Sequence, residues 1–308
     1  MKYKKVLVTG GAGFIGSHIV IVLQKAGYDV VVLDNLSTGK REKLPAGVKF
    51  YERDITKDIQ DIFNIEKPDI VIHTAAQVML RRSLEEPVFD ALQNIIGTIN
   101  VLEACKKSGV KRVIYTSTGG ARVGEPEYLP VDEKHPIKPM SPYGISKHTA
   151  EHYVWMYHEL YGLDYLIFCF GNVYGPGDDP KFRRVTAIFI EAMMKGESPT
   201  IFGDGEQTRD FIYVLDIAEF IVNAMEKNPA HKLFHLANGS QVSVNQVFTI
   251  LKNLLKFKGE AKHIEAVKGE VRDIMLDTTL AQKELGWKPS HTMEQGLKEM
   301  LDKSILAL

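Results

Sequence analysis

The sequence predicts an α/β protein: a doubly wound parallel sheet with a smaller, discontinuous C-terminal lobe. Through the first 175 residues, short apolar runs rich in β-branched side chains alternate with longer amphipathic stretches, the pattern of successive βαβ units. A glycine-rich turn, Gly10 to Gly16, stands between the first such run and the first amphipathic stretch. A third observation sets the lobe apart: after Gly171 the periodicity breaks up, and a strand-like run returns only at Leu233.

Taken in order, strands are predicted at Lys5–Thr9, Val30–Asp34, Val48–Glu52, Ile70–His73, Arg112–Ser117 and Tyr165–Phe170, each short enough to be a buried sheet strand. Helices fill the intervals. Phe14–Ala26 follows the glycine turn. Pro87–Lys107 opens on a proline, whose missing N–H is harmless in a first turn, and stops before Gly109. Tyr143–Tyr161 stops before Gly162. Between Gly171 and Gly205 the Gly175-Pro176-Gly177 run, Pro180, Gly196, Pro199 and Gly203-Asp204-Gly205 read as turns, so a lobe boundary is expected there. Asp216–Lys227 reads as a helix and Leu233–Leu236 as a strand that rejoins the sheet. The expected division is therefore 1–174 with 216–236 as a dinucleotide-binding domain, and 175–215 with 237–308 as a substrate lobe.

Composition narrows the function. Of 308 residues, 44% are hydrophobic and 25% charged, which suits a globular chain with a substantial core. Thirty-eight basic against 39 acidic residues leave a net charge of -1, so no positive field exists to recruit nucleic acid or a membrane surface. Two cysteines, Cys105 and Cys169, are too few for a disulfide framework or a structural zinc site. With no signal-like apolar stretch near Met1 and no run long enough to span a bilayer, a reducing, cytoplasmic location is expected.

Gly10, Gly13 and Gly16 lie where a strand hands over to a helix. Glycines there permit a tight turn and let backbone approach a pyrophosphate at the helix N-terminus, the arrangement of Rossmann-type dinucleotide sites. Three glycines at this spacing are weak by themselves; the strand-turn-helix setting gives them weight. Asp34 ends the second predicted strand 18 residues past Gly16. A carboxylate there accepts hydrogen bonds from a ribose diol and repels a 2′-phosphate, which favours NAD over NADP. The plain alternative is a tight turn followed by a solvated acid.

Tyr143 and Lys147 are four residues apart on one helical face, and an ammonium beside a phenol favours the phenolate. The spacing alone occurs by chance; its setting is the strand ending at Ser117 and Thr118, whose carboxyl end should face the dinucleotide crevice. His148-Thr-Ala-Glu151-His152 has the spacing of an inverted zinc-peptidase motif. At 100° per residue these histidines face away from Tyr143, so a surface or packing role is expected and no metal site.

These segments resemble the extended short-chain dehydrogenase/reductases and, within them, the UDP-glucose 4-epimerases. The resemblance rests on Thr9-Gly-Gly-Ala-Gly-Phe-Ile-Gly-Ser17, Asp34-Asn-Leu-Ser-Thr-Gly39, Asp54-Ile55, His73-Thr-Ala-Ala-Gln77, Ser117-Thr-Gly-Gly120, Ser141-Pro-Tyr-Gly-Ile-Ser-Lys147, Asn172-Val-Tyr-Gly-Pro176 and Gly203-Asp-Gly-Glu-Gln-Thr-Arg-Asp210. It implies NAD on Gly10, Gly13, Gly16 and Asp34, with Phe14, Ile15, Asn35, Asp54, Ile55, Ala75, Ala76, Gln77 and Asn94 completing the cofactor shell and Lys147 on the nicotinamide ribose. Thr118 and Tyr143 would flank the reacting sugar carbon. Asn172, Arg209 and Arg272 would hold the nucleotide diphosphate, a role suited to paired guanidinium donors, although each arginine also reads as a surface ion pair. Pairing of the Tyr143 helix and the Pro87 helix across a two-fold axis, and so a homodimer, is a further implication. Three departures stand out: Cys169 and Val123 where relatives commonly carry Arg and Tyr, and Val267-Lys268 in place of a frequent Arg-Pro.

The chemistry this implies is oxidation at carbon 4 of a UDP-hexose by NAD, with Tyr143 as base, followed by return of the hydride to the other face of the keto sugar. A phenol brought from a pKa near 10 to about 7 needs roughly 4 kcal/mol of phenolate stabilisation, expected from Lys147 and a positive nicotinamide together. Alternatives are a UDP-N-acetylhexosamine 4-epimerase, with Ile274 as a candidate gate, or a sibling decarboxylase or dehydratase. The last two usually carry an acid after the strand-end hydroxyl, where this chain has Gly119 and Gly120. An NAD-binding protein without turnover would not need the Tyr143–Lys147 pair.

Overall fold

The computed structural model describes residues 2–182, 184–266 and 271–305. Its strands are β1 (Lys5–Thr9), β2 (Asp29–Asp34), β3 (Lys49–Glu52), β4 (Ile70–His73), β5 (Arg112–Thr118), β6 (Asp164–Phe170), β7 (Asn172–Tyr174), β8 (Thr200–Phe202), β9 (Thr208–Arg209), β10 (Phe211–Tyr213), β11 (Leu233–Leu236), β12 (Val242–Ser243) and β13 (Lys262–Ile264). The helices are α1 (Phe14–Lys25), α2 (Gln60–Glu66), α3 (Leu80–Glu85), α4 (Pro87–Ala91), α5 (Gly97–Ser108), α6 (Gly120–Val123), α7 (Pro142–Tyr161), α8 (Val185–Met194), α9 (Val214–Ala224), α10 (Val244–Leu255), α11 (Thr279–Leu285) and α12 (Met293–Ile305).

A seven-stranded sheet runs in the order β11-β6-β5-β4-β1-β2-β3 with every pairing parallel. This is the expected Rossmann-type fold. Strand order reverses between β1 and β4, so a crevice opens beyond their carboxyl ends. Alternation along the strands sends side chains to both faces. Val6, Val8, Val30 and Val32 pack with Ile19 and Leu23 of α1 and Ile217 and Ile221 of α9 on one side. Leu7, Val31, Leu33 and Val71 meet Ile62 and Phe63 of α2, Leu102 of α5 and Val154 and Tyr157 of α7 on the other. Burying both faces explains why the strands read as continuous apolar runs. A third cluster joins Phe189 and Ile190 of α8, Val247 and Leu251 of α10 and Leu297 of α12.

Most predicted elements lie within a residue or two of the observed ones, as where the strand expected to stop at Ser117 continues one residue and pairs Thr118 with Phe170, and two differ in kind. The stretch expected to be turns from Gly171 to Gly205 contains β7, α8 and β8. Its glycines and prolines sit between these short elements; β7 is held by parallel pairing with β10, a long-range contact that periodicity does not reveal. The single helix expected over Pro87–Lys107 carries a π turn at Leu92–Ile96 between α4 and α5. There Thr98 Oγ1 donates to the Asn94 carbonyl at 2.6 Å, competing with the regular backbone ladder.

Helix ends follow the sequence signals. Ser141 caps α7, its hydroxyl accepting from Gly144 N at 3.1 Å, with Pro142 in the first turn and Gly162 in the left-handed conformation after the last. This fixes where α7 starts, and so which way Tyr143 and Lys147 point.

Candidate active site

Gly10 has φ +68, and a Cβ on it would lie 2.6 Å from the Ala75 backbone. A Cβ on Gly16 would lie 2.2 Å from the Gly10 carbonyl oxygen. Both contacts require glycine, and they close the turn so that α1 opens directly on the crevice. Gly13 caps α1 without any side-chain hydrogen bond, leaving first-turn N–H groups facing the cavity, as an anion site requires.

Asp34 ends β2. One carboxylate oxygen accepts from Ala12 N at 3.0 Å and the other from Leu36 N at 2.8 Å. Burial raises its pKa while those two amides oppose the rise. Beside it Asn35 donates to Asp54 at 3.1 Å, and Asp54 accepts from Thr56 N at 2.8 Å. Burial works against the Asp54 charge, yet the hydrogen bonds of Thr56 and Asn35 hold its pKa below the usual range.

A cavity of about 1200 Å³ spans the carboxyl ends of the strands. The walls bring together Gly10, Gly13, Phe14, Ile15, Gly16, Asp34, Asn35, Ile55, Ala75 and Ala76 at one end and Thr118, Tyr143, Lys147, Asn172, Arg209 and Ile274 at the other. The glycine cradle, the uncapped helix end and the strand-end carboxylate fit a dinucleotide such as NAD.

Lys147 is buried, its Nζ 4.2 Å from the centroid of the Tyr115 ring. Burial pulls its pKa down to about 8, with the carboxylates of Glu151 and Asp90 resisting. Burial pushes the Tyr143 phenol up to about 12, with Asp90 adding and Arg184 and a Thr118 hydrogen bond working the other way. The phenol is thus desolvated before anything binds.

The remaining expected site residues, Asp54, Gln77, Asn94 and Arg272, do not line the cavity. Asn94, in the π turn, donates to Ser146 Oγ at 3.0 Å and accepts from Gln77 N at 2.8 Å, while Gln77 donates to Asp90 at 2.8 Å. This buried network braces the Ala75–Ala76 turn against α7. Arg272 is exposed and forms a bidentate pair with Asp204 at 2.8 and 2.9 Å. His148 and His152 stay off the cavity as expected, their Nε2 atoms 3.2 Å apart. Among the described residues no group of three or more potential ligands could hold a metal. Of the departures, Cys169 and Val123 are buried, and Val267-Lys268 lies outside the described residues.

Sequence reasoning passed over Arg122, Glu151 and Arg184. Glu151 had a signal, since Tyr143, Lys147 and Glu151 recur every four residues on α7; the zinc-like spacing drew attention to the histidines instead. Arg122 and Arg184 carried none.

Residues 6–237 match the family described as "NAD dependent epimerase/dehydratase family". The chain is 36% identical over 305 residues to the UDP-glucose 4-epimerase of Mycolicibacterium smegmatis, covering 97% of both. Its structure is similar to that of the UDP-glucose 4-epimerase of Thermotoga maritima with UDP-glucose, with a TM-score of 0.96, 43% identity and 98% and 99% of the two chains covered. The UDP-glucose 4-epimerase of Thermus thermophilus, solved as a complex with NAD, gives a TM-score of 0.93 at 37% identity, covering 99% and 100%. With its cofactor cradle, its strand-end hydroxyl and this likeness along its length, the chain belongs to the NAD-dependent epimerase/dehydratase family.

Proposed function

We propose that this protein is an NAD-dependent 4-epimerase of UDP-hexoses, interconverting UDP-glucose and UDP-galactose. The observation that carries the reading is the meeting of Thr118, Tyr143 and Lys147 in the wall of the same cavity that Gly10, Gly16 and Asp34 enter from the cofactor end.

The protein's part divides by residue. First-turn amides of α1 face the pyrophosphate, and Asp34 takes the ribose diol. Lys147 holds the second ribose. Tyr143 removes the proton from the sugar's 4-hydroxyl and later returns one, while the Thr118 hydroxyl positions the same oxygen. Bound NAD supplies a reversible hydride acceptor and a positive ring that stabilises the phenolate. A phenol at about 12 must come down by about 5 units, roughly 7 kcal/mol, so a substantial part of that stabilisation depends on loading the site. Asn172 and Arg209 hold the nucleotide diphosphate, joined by Arg272 once it leaves Asp204, so the sugar can turn about its phosphate linkage while the anchor stays in place.

A cytoplasmic location is part of the same proposal; separately, no helix among the described residues is long and apolar enough to cross a membrane. The protein works as a homodimer. Val88, Leu92 and Ile96 on the Pro87 helix, with Ile145 and Trp155 on α7, expose apolar side chains on two helices that pack together. A two-fold pairing would cover them. The division into 1–174 with 216–236 and 175–215 with 237–308 belongs to the same proposal, supported by the third apolar cluster, whose buried residues other than Tyr174 fall in the second part.

The test is to incubate the purified protein with UDP-galactose, UDP-N-acetylgalactosamine and UDP-glucuronate, adding no nucleotide, and identify products. UDP-glucose from the first is expected; no product from either of the first two overturns the epimerase reading. Sedimentation at micromolar concentration, repeated with Val88→Glu/Trp155→Glu, tests the dimer.

A further inference from the structure

Beneath the catalytic face lies a buried charged cluster that the reaction, as described, does not use. Arg122 and Glu151 are 4% and 5% exposed, yet their closest approach is 3.6 Å, from Nε to Oε2. The Arg122 Nε has no hydrogen-bond partner. Nη1 donates to the Cys169 thiol at 3.2 Å, and that sulfur lies 3.8 Å from Glu151 Oε1. Glu151 also accepts from Ser117 Oγ and from His148 Nδ1. The cluster thus ties together the end of β5, next to Thr118, the α6 turn that follows it, and α7 one turn beyond Lys147.

For stability this is a poor arrangement. A buried pair without good hydrogen-bond geometry seldom repays its desolvation, and apolar side chains of the same volume often do better. What the cluster does supply is a negative charge on the catalytic helix, one turn beyond the lysine, that favours the lysine's own charge. We infer that Arg122 and Glu151 are positioning residues for the reaction: their buried pair locks the Thr118 strand end against the Tyr143–Lys147 helix and backs the lysine ammonium with a compensated carboxylate. The inference rests on the epimerase reading, in which a charged Lys147 holds the ribose.

The surroundings of each group set the sign. Glu151 is faced by Ser117 on β5, Cys169 on β6, Arg122 on α6 and His148 on its own helix; burial raises its pKa, while His148 and Arg122 bring it below the usual range. Lys147 is faced by Tyr115 on β5, His73 on β4, Cys169 on β6, Asp90 on α4 and Glu151 on α7. With Arg122 gone Glu151 takes up a proton more readily, but Lys147 loses its support only where that carboxylate is neutral, so Glu151→Gln is the variant in which the lysine's charge is lost at lower pH.

The position of the Cys169 thiol between the two partners provides the decisive variant, because a guanidinium placed at 169 reaches the same carboxylate from the strand side. The experiment compares wild type, Arg122→Leu, Glu151→Gln and Arg122→Leu/Cys169→Arg by kcat and KM on UDP-galactose across pH 6 to 9.5, by melting temperature and by NAD titration of stripped protein at pH 6.5 and 8.5. Expected for Arg122→Leu and Glu151→Gln is a kcat loss of about tenfold or more with KM changed by less than about threefold. In Glu151→Gln the alkaline limb of kcat should move to lower pH, and NAD binding should weaken more at pH 8.5 than at 6.5. The double variant should restore most of the kcat lost in Arg122→Leu. If Glu151→Gln melts lower but keeps the wild-type pH profile and the wild-type pH dependence of NAD binding, the role is structural and the inference fails. If Arg122→Leu does not fold, Glu151→Gln decides by that limb. If wild type does not turn over UDP-sugars, the function reading falls, and the pH dependence of NAD binding still decides this inference.

Discussion

The Lys147 ammonium rests 4.2 Å from the centre of the Tyr115 ring, in a pocket whose other charges come from Glu151 and Asp90. The aromatic face favours the cation, yet burial prevails and the group titrates near 8. A lysine whose folded pKa is depressed destabilises the fold below that pH, because the unfolded chain binds the proton more tightly. The penalty fades as pH rises from about 8 towards 10.5, where the unfolded lysine also discharges.

Lys147→Met should therefore abolish turnover and stabilise the ligand-free protein at pH 7, by up to about 3 kcal/mol. The gain should shrink above pH 8. Urea unfolding of both proteins at pH 7 and pH 10 checks this; an unchanged or lower midpoint for the variant at pH 7 refutes it.

Tyr143→Phe removes the proton-transfer group but leaves the glycine turn, Asp34 and Lys147 in place. Turnover should fall by at least about 10³-fold while NAD affinity stays within about threefold of wild type. Calorimetric titration with NAD alongside the epimerisation assay separates the two effects. Substantial residual turnover would move the base elsewhere.

Gly16→Ala places a methyl group 2.2 Å from the Gly10 carbonyl oxygen, which is backbone and cannot step aside without opening the turn. Overpacking of this kind costs about 1–3 kcal/mol. NAD affinity should drop at least tenfold, and the melting temperature by about 2–10 °C. Differential scanning calorimetry with and without NAD reads both quantities; a variant that binds NAD as wild type does would show the turn to be less confined than it looks.

Two buried imidazoles set the acid limit of stability. His73, between Thr9 Oγ1 at 2.6 Å and Thr98 Oγ1 at 3.0 Å, is lowered to about 3 by burial with Lys147 adding, and His235 is lowered to about 4 by burial with Arg122 adding. Both stay neutral in the native protein where the unfolded chain charges near 6.5, so their contribution is complete above that pH and is lost as pH falls towards 4 and 3. Asp210 opposes part of this: burial raises it to about 6, so between about 6 and 3.8 the native state takes up its proton first. The net expectation is a urea midpoint that falls from pH 7 to pH 5, with a shallower fall in His73→Gln. Parallel slopes for the two proteins would exclude His73 as a contributor.

Local chemistry made much of this protein legible in its sequence. Strand composition and helix punctuation placed β1 to β6, α1, α5 and α7, because capping and turn residues act over a few positions: Ser141-Pro142 starts α7, and Gly109 and Gly162 end helices where a left-handed residue is needed. The glycine turn with Asp34, and Tyr143 with Lys147 and Thr118, are similarly local patterns attached to a strand end.

Tertiary structure alone decided the rest. Only folding brings Arg122, Glu151 and Cys169 together from three separate elements, or turns Arg184 towards the phenol, since nothing in their spacing links them. It also decided the electrostatics: the chain specifies that a lysine follows a tyrosine by one helical turn, but how far each is stripped of water depends on strands and helices far away in sequence. Desolvation is a property of the assembled surroundings, so the Tyr143 phenol titrates near 12, where spacing alone pointed lower.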